Sequence, residues 1–153
     1  MASREQWGNI TWYLFHGIAE KIKEDKFSEN KELIINIIKS ICGNLPCPDC
    51  SEHASKTLNN INFNSINTKD ELKDFLFKFH NIVNQRTKKE EFKKEELDKK
   101  YNTIIMPIIF NYFFKVYSIN NKSEKMMMYT AFKNQFLSQL RKDLNKLIIH
   151  LNI

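Results

Sequence analysis

Glycine, proline and cysteine are each present only three times in 153 residues. So little turn punctuation excludes turn-rich all-β architectures and low-complexity chains, and leaves helix as the expected state of most of the length. Three cysteines are too few for a secreted disulfide scaffold; a single close pair points instead to redox or metal chemistry. No apolar stretch is long enough to span a bilayer. The longest, Ile104 to Tyr117, is also interrupted by Pro107, Asn111 and Lys115. The N-terminal MASREQWGNITW is polar and then aromatic, without the apolar core of a secretory signal, so export is not expected. Neither an internal repeat nor a period-two strand pattern is visible.

What is present describes a globular helical chain: 42% hydrophobic and 27% charged residues. The net charge is +6. Its densest run, KKEEFKKEELDKK (Lys88 to Lys100), mixes both signs at spacings that suit i,i+4 pairs on a solvated helix. Nucleic acid is therefore not expected as a partner.

Apolar periodicity of about 3.6 predicts the helices. A first helix over 4–23 carries Trp12, Phe15, His16, Ala19 and Ile22 on one face. A second begins near an N-cap at Ser28, with Glu29 and Glu32 at its positive end, and buries Leu33, Ile34, Ile37, Ile38 and Ile41 before Gly43, Asn44 and Pro46 stop it. A third starts at the CxxC, where Pro48 suits the first turn, and runs to about Asn59. A polar loop leads to Thr68, which caps a fourth helix in a box with Glu71; Leu72, Phe75, Leu76, Phe79 and Val83 form its stripe. A charged linker or short helix follows. The last third adds a helix in TIIMPIIFNYFFKVY, a turn at INNKSE and, from Met126, an amphipathic stripe of Phe132, Phe136, Leu140, Leu144, Leu147 and Leu151. The expected fold is all-α: a four-helix bundle (1–101) with a C-terminal helical extension (102–153).

The chemistry concentrates in LPCPDC. A cysteine at a helix N-terminus sits beside unsatisfied amides and the positive dipole end, which lowers its thiol pKa. Cys47 is then the exchanging thiol and Cys50 the resolving one. A thioredoxin-type site would need a βαβ pattern, which is absent. A zinc site would need four ligands, which Cys47, Cys50, His53 and His80 could supply at an unusual spacing. Structural thiols are the third possibility. In FKFHNIVNQRTKKEEF (Phe77 to Phe92), His80 and Asn84 lie four apart and Asn81 adjoins His80, next to an apolar stripe. Polar groups there suit a planar ligand held between helices. Trp7, Trp12 and His16 place flat rings on the first helix. Rings, His and Asn together with a redox CxxC point to a flavin, because passing electrons from a dithiol to oxygen needs a carrier.

Three segments in order carry a resemblance: TWYLFH (Thr11 to His16), PCPDC, and HNIVNQRTKKEEF. The chain resembles the Erv/ALR family of FAD-linked sulfhydryl oxidases over about Trp7 to Tyr101. The resemblance implies a four-helix bundle around FAD with a short fifth helix, usually a homodimer. It implies oxidation of two thiols by molecular oxygen to a disulfide and hydrogen peroxide. By position, Cys50 would face the flavin and Cys47 would exchange with substrate. Trp12 and His16 would contact the cofactor from the first helix, with Trp7 and Thr11 beside them. His80, Asn81, Val83, Asn84, Arg86 and Lys89 would hold isoalloxazine, adenine or phosphates, and Tyr101 stands where a tryptophan is common. The family's leucine and proline in the third segment are Thr87 and Glu90 here, and Phe77 replaces a structural cysteine. Cys42 stands alone, expected buried in the second helix or bridging subunits. With no second cysteine pair, electrons would reach Cys47 directly from a protein dithiol or a thioredoxin-like carrier. Such shuttle-free forms resemble those of large cytoplasmic DNA viruses, which implies host cytoplasm or virion. The extension would pack on the core, enlarge a dimer interface or dock a partner; packing or dimerisation is favoured because exposed apolar stripes are hazardous.

Overall fold

The computed structural model describes residues 2–119 and 127–152, which form seven α-helices and one short 3-10 turn. Helix α1 (Arg4–Lys21) opens with a full capping box. The Ser3 hydroxyl accepts from the Gln6 amide at 3.2 Å, and the Gln6 side chain accepts from the Ser3 amide at 3.0 Å. Between residues 10 and 19, α1 has no exposed residue. It is the hub of the molecule, with α4, α5 and α6 packed around it.

Helix α2 (Glu24–Cys42) starts four residues before the expected Ser28 cap, at an N-cap Lys23 that makes no side-chain bond. Burial of Phe27 holds the extra turn, and Glu24 and Asp25 rather than Glu29 and Glu32 occupy its positive end. The expected stripe is buried, with Leu33 at its edge and Ile35 added. Helix α3 (Pro48–Asn59) has Cys47 as N-cap and Pro48 in its first turn, as the sequence predicts. A 3-10 turn at Phe63–Ser65 follows.

In α4 (Lys69–Arg86) the Thr68 hydroxyl accepts from the Glu71 amide at 3.1 Å. The Glu71 carboxylate, however, accepts from the Asn67 amide, so the reciprocal half of the expected box is displaced by one residue. The charged run also differs from expectation. Only Lys94–Tyr101 is helical (α5), and its ion pairs reach across to α4 instead of along itself. Lys94 pairs with Asp74 at 3.2 Å, and Lys73 with Asp98 at 2.6 Å.

The C-terminal segment shares the core. Helix α6 (Met106–Tyr117) lies on α1 and α7 (Met127–Ile148) on α2, and their buried residues join one cluster with those of the bundle. Close approach of α6 depends on Gly17, whose hypothetical Cβ would stand 2.6 Å from Ile104 Cδ1 and 2.7 Å from Met106 Sδ. Each large apolar side chain buried there contributes about 1.5–3 kcal/mol. The chain end is tied back by an isolated bridge between Ile22 and Leu151. Of the α7 stripe, Phe132 is 62% exposed while Phe136, Leu140, Leu144 and Leu147 are buried. The INNKSE turn and Met126 lie largely outside the described residues.

Candidate functional site

Cys47 and Cys50 form a disulfide across the first turn of α3, with Cα atoms 5.2 Å apart. As N-cap, the Cys47 sulfur accepts from the Cys50 amide at 3.3 Å. After reduction this amide and the helix dipole would favour a Cys47 thiolate. The two sulfurs face different surroundings. Cys50 is buried and lines a deep cleft, whereas Cys47 is half-buried and outside that lining.

The cleft runs between α1, α3, α4 and α5 and has a volume of about 940 Å³, its open mouth included. Aromatic and apolar walls come from Trp7, Trp12, Tyr13, Phe79, Val83 and Tyr101. Among the described residues four cations stand along it, Arg4, Arg86, Lys89 and Lys100, and no carboxylate does. Burial first, then the nearby Arg4 guanidinium, pushes the Arg86 pKa down. Unpaired like charges around a groove mark it as a seat for an anion.

Most residues singled out in the sequence meet here. Thr11, His80 and Asn84 line the cleft together with the aromatic walls, Arg86, Lys89 and Cys50. Two do not. His16 is buried behind the cleft, its Nε2 2.9 Å from His80 Nδ1 and its ring stacked 4.5 Å from Tyr101. Asn81 turns toward the following loop, donating to the Phe92 carbonyl at 3.1 Å and accepting from the Phe92 amide at 3.2 Å. Its Oδ1 also accepts from Asn84 Nδ2 at 3.2 Å. Both act as supports: His16 fixes the His80 ring, which stacks on Trp12 at 3.9 Å, and Asn81 fixes the loop that carries Lys89.

Burial, then the nearby Lys100 and Lys89, lowers the His80 pKa to about 3. Burial, then His80, holds His16 well below its ordinary value. Both rings are therefore neutral at neutral pH, one donating to the other. Burial pushes the Cys42 thiol up to about 12, so although it lines the cleft it stays protonated.

The turn after α4 explains how Lys89 arrives. Lys88 adopts φ 59°, the Lys89 amide donates to the Asn84 carbonyl at 2.8 Å, and the Lys88 amide to Gln85 at 3.2 Å. This is a Schellman turn with lysine in the left-handed position. Arg4 and Lys100 were not singled out in the sequence. Arg4 had a signal, since it shares a helical face with Gly8 and Thr11. Lys100 had none, being one of many lysines in a mixed run. The zinc arrangement is not formed: among the described residues no three His, Cys, Asp or Glu side chains converge. His53 is exposed, and His80 is bonded to His16.

Comparison with known proteins agrees with this geometry. The sequence profile of the Erv1/Alr family matches residues 9–102. A protein of Invertebrate iridescent virus 3, named as an FAD-linked sulfhydryl oxidase (096R), is 28% identical over 96 residues. That match covers 62% of this chain and 65% of the viral protein, so the chain spans just under two thirds of its relative's length. No solved structure matches.

Proposed function

The chain belongs to the Erv1/Alr family, and from that premise we propose that it is an FAD-dependent thiol oxidase acting on protein dithiols with molecular oxygen as acceptor. The observation that carries the proposal is the cleft itself. It joins the buried sulfur of Cys50 to a row of four cations with no acid among them, past flat aromatic walls. FAD has a planar ring system at one end, an adenine at the other and an anionic pyrophosphate between. The donor chemistry fits: Arg4, Arg86, Lys89 and Lys100 for the pyrophosphate, Trp12, His80 and Tyr101 for flat rings, and Asn84 for a ring hydrogen bond.

The chain's own steps follow from the disulfide. A substrate thiolate attacks the more accessible Cys47 sulfur, and Cys50 leaves as a thiolate inside the cleft. The second substrate thiolate then releases Cys47, whose thiolate the Cys50 amide stabilises. FAD, when bound, takes the electron pair from the reduced cysteines and passes it to oxygen, giving hydrogen peroxide. Neutral His80, held by His16, presents a polarisable face without competing for the cations. Cys42, protonated, takes no part.

The relative's viral source supports a host-cytoplasm or virion setting, and no described helix is long and apolar enough to cross a membrane. The homodimer belongs to the same proposal. The outer face of α6, with Ile108 and Tyr112 exposed and the exposed N-cap Ile105 beside them, offers an apolar surface for it.

The test is the visible spectrum of the purified protein, followed by oxygen uptake with dithiothreitol. A flavin spectrum with uptake, lost in both Cys47→Ser and Cys50→Ser while the spectrum remains, is expected. A colourless protein that takes up no FAD on refolding would overturn the proposal.

A further inference from the structure

A second hollow opens on the turn that carries the CxxC and meets the first cleft at Leu45, which lines both. It is a groove of about 660 Å³ between the turn that carries the CxxC and helix α7. Leu45, Pro48 and Ser51 form one wall; Phe132, Lys133 and Phe136 form the other. Pro48 lines the groove and adjoins Cys47 in sequence, so the groove borders the turn from which the disulfide projects. Cys47 is the more accessible of the two sulfurs.

Two features of the α7 wall call for an occupant. Phe132 is 62% exposed although the rest of its stripe is buried. Lys133 donates one hydrogen bond, to the Ile119 carbonyl at 3.0 Å, and no carboxylate is among the groove's described lining. The groove therefore offers an apolar ring and a cation with free donors, beside the turn that carries the electrophilic disulfide. Its charge complements an acidic partner, as does the chain's net charge of +6.

We infer that this groove docks the substrate: an extended polypeptide segment that carries its reduced cysteine between an apolar side chain packed on Phe132 and a carboxylate facing Lys133. The inference rests on the thiol-oxidase proposal and names the substrate class for it. With the segment seated, its thiolate attacks Cys47 Sγ, the Cys47–Cys50 bond breaks, and Cys50 takes the electron pair. A second thiolate of the substrate closes the new disulfide and frees Cys47, so the substrate loses two electrons and two protons. The Cys47–Cys50 disulfide is the oxidant, regenerated by the proposed flavin and oxygen. Helix α7 lies beyond the segment matched by the family profile, residues 9–102, so this selectivity would be a property of this chain's own extension.

Two measurements on the full chain test it, with wild type, Phe132→Ala and Lys133→Glu, each checked for native helicity. The first is anisotropy of labelled peptides in which serine replaces cysteine between a leucine and either a glutamate pair or a lysine pair. The glutamate peptide should bind wild type best, lose about tenfold in Phe132→Ala, and lose its preference to the lysine peptide in Lys133→Glu. The second is the ratio of kcat/KM for the cysteine-containing glutamate peptide to that for dithiothreitol, which should fall in proportion. Peptide binding indifferent to both substitutions, or a constant ratio, would overturn the inference. So would a halving of solution mass in Phe132→Ala, which would show the ring covered by a second copy. Binding with the expected pattern but no dithiothreitol oxidation would keep the groove and remove the oxidase proposal. Oxidation without the pattern would do the reverse.

Discussion

The hydroxyls of Tyr117 and Thr11 lie 2.6 Å apart in a buried contact between the C-terminal extension and the helix that carries TWYLFH. Thr11 donates onward to the Trp7 carbonyl at 2.6 Å, so the Tyr117 hydroxyl donates to Thr11. The Tyr117 ring is stacked on Phe113 at 4.1 Å. Tyr117→Phe keeps the ring and removes the donor. It should lower stability by about 0.5–1.5 kcal/mol in urea unfolding and shift the absorption of bound flavin, because Thr11 lines the cleft proposed for FAD. An unchanged urea midpoint and spectrum would show the contact to be idle.

Arg4 and Arg86 are predicted to act with opposite signs in the two states. Without an anion they repel, so Arg4→Gln and Arg86→Gln should leave apoprotein stability unchanged or raised. With FAD each should weaken binding by about tenfold and reduce its dependence on salt. Titrating apoprotein with FAD at two ionic strengths, beside thermal unfolding of the apoprotein, separates these effects. Loss of apoprotein stability in either variant would mean that the guanidinium pairs within the chain instead.

The paired histidines predict acid sensitivity. Their folded pKa values are depressed, His80 to about 3, against about 6.5 for an unfolded histidine. The unfolded chain takes up protons first as pH falls, so this contribution is complete above pH 6.5 and is lost progressively between 6.5 and 3. The slope approaches about 1.4 kcal/mol per pH unit for each histidine. His80→Gln should flatten the stability profile between pH 6.5 and 4.5; a parallel profile would place the acid sensitivity elsewhere.

Lys88 holds a left-handed conformation, φ 59°, at the position of a Schellman turn that favours glycine. Lys88→Gly should raise stability by about 1 kcal/mol, since the strain relieved exceeds the chain entropy added. Lys88→Val should lower it, and should also weaken FAD binding by misdirecting Lys89. Equal stability of the glycine and valine variants would refute the account.

Local signals in the sequence were enough for the helices of the bundle and the placement of Cys47 as an N-cap. Proline in the first turn, a threonine cap and 3.6-residue stripes each act within a few residues, so they can be read without the fold. The same holds for His80 and Asn84, which their spacing of four puts on one face of α4; that Trp12 of α1 meets that face is a matter of packing. Ser28 misled for a related reason: a good capping residue gave way to the burial of Phe27, a tertiary gain larger than a cap contributes.

Other features depended on distance across the fold. That His16 and Asn81 stand behind the cleft as supports, that Arg4 and Lys100 join Arg86 and Lys89 along it, and that Tyr117 reaches Thr11 are relations between residues far apart in the chain. No local propensity encodes them. The sequence by itself determined helices, a cysteine pair at a helix N-terminus and the family. Only the tertiary structure decided that the extension buries α1 on its remaining side through Gly17, and that α7 brings Phe132 and Lys133 opposite Leu45 and Pro48 of the turn that carries the CxxC. The physical reason is that helix periodicity is set by neighbours in sequence, whereas which charges and rings face one another is set by how whole helices pack.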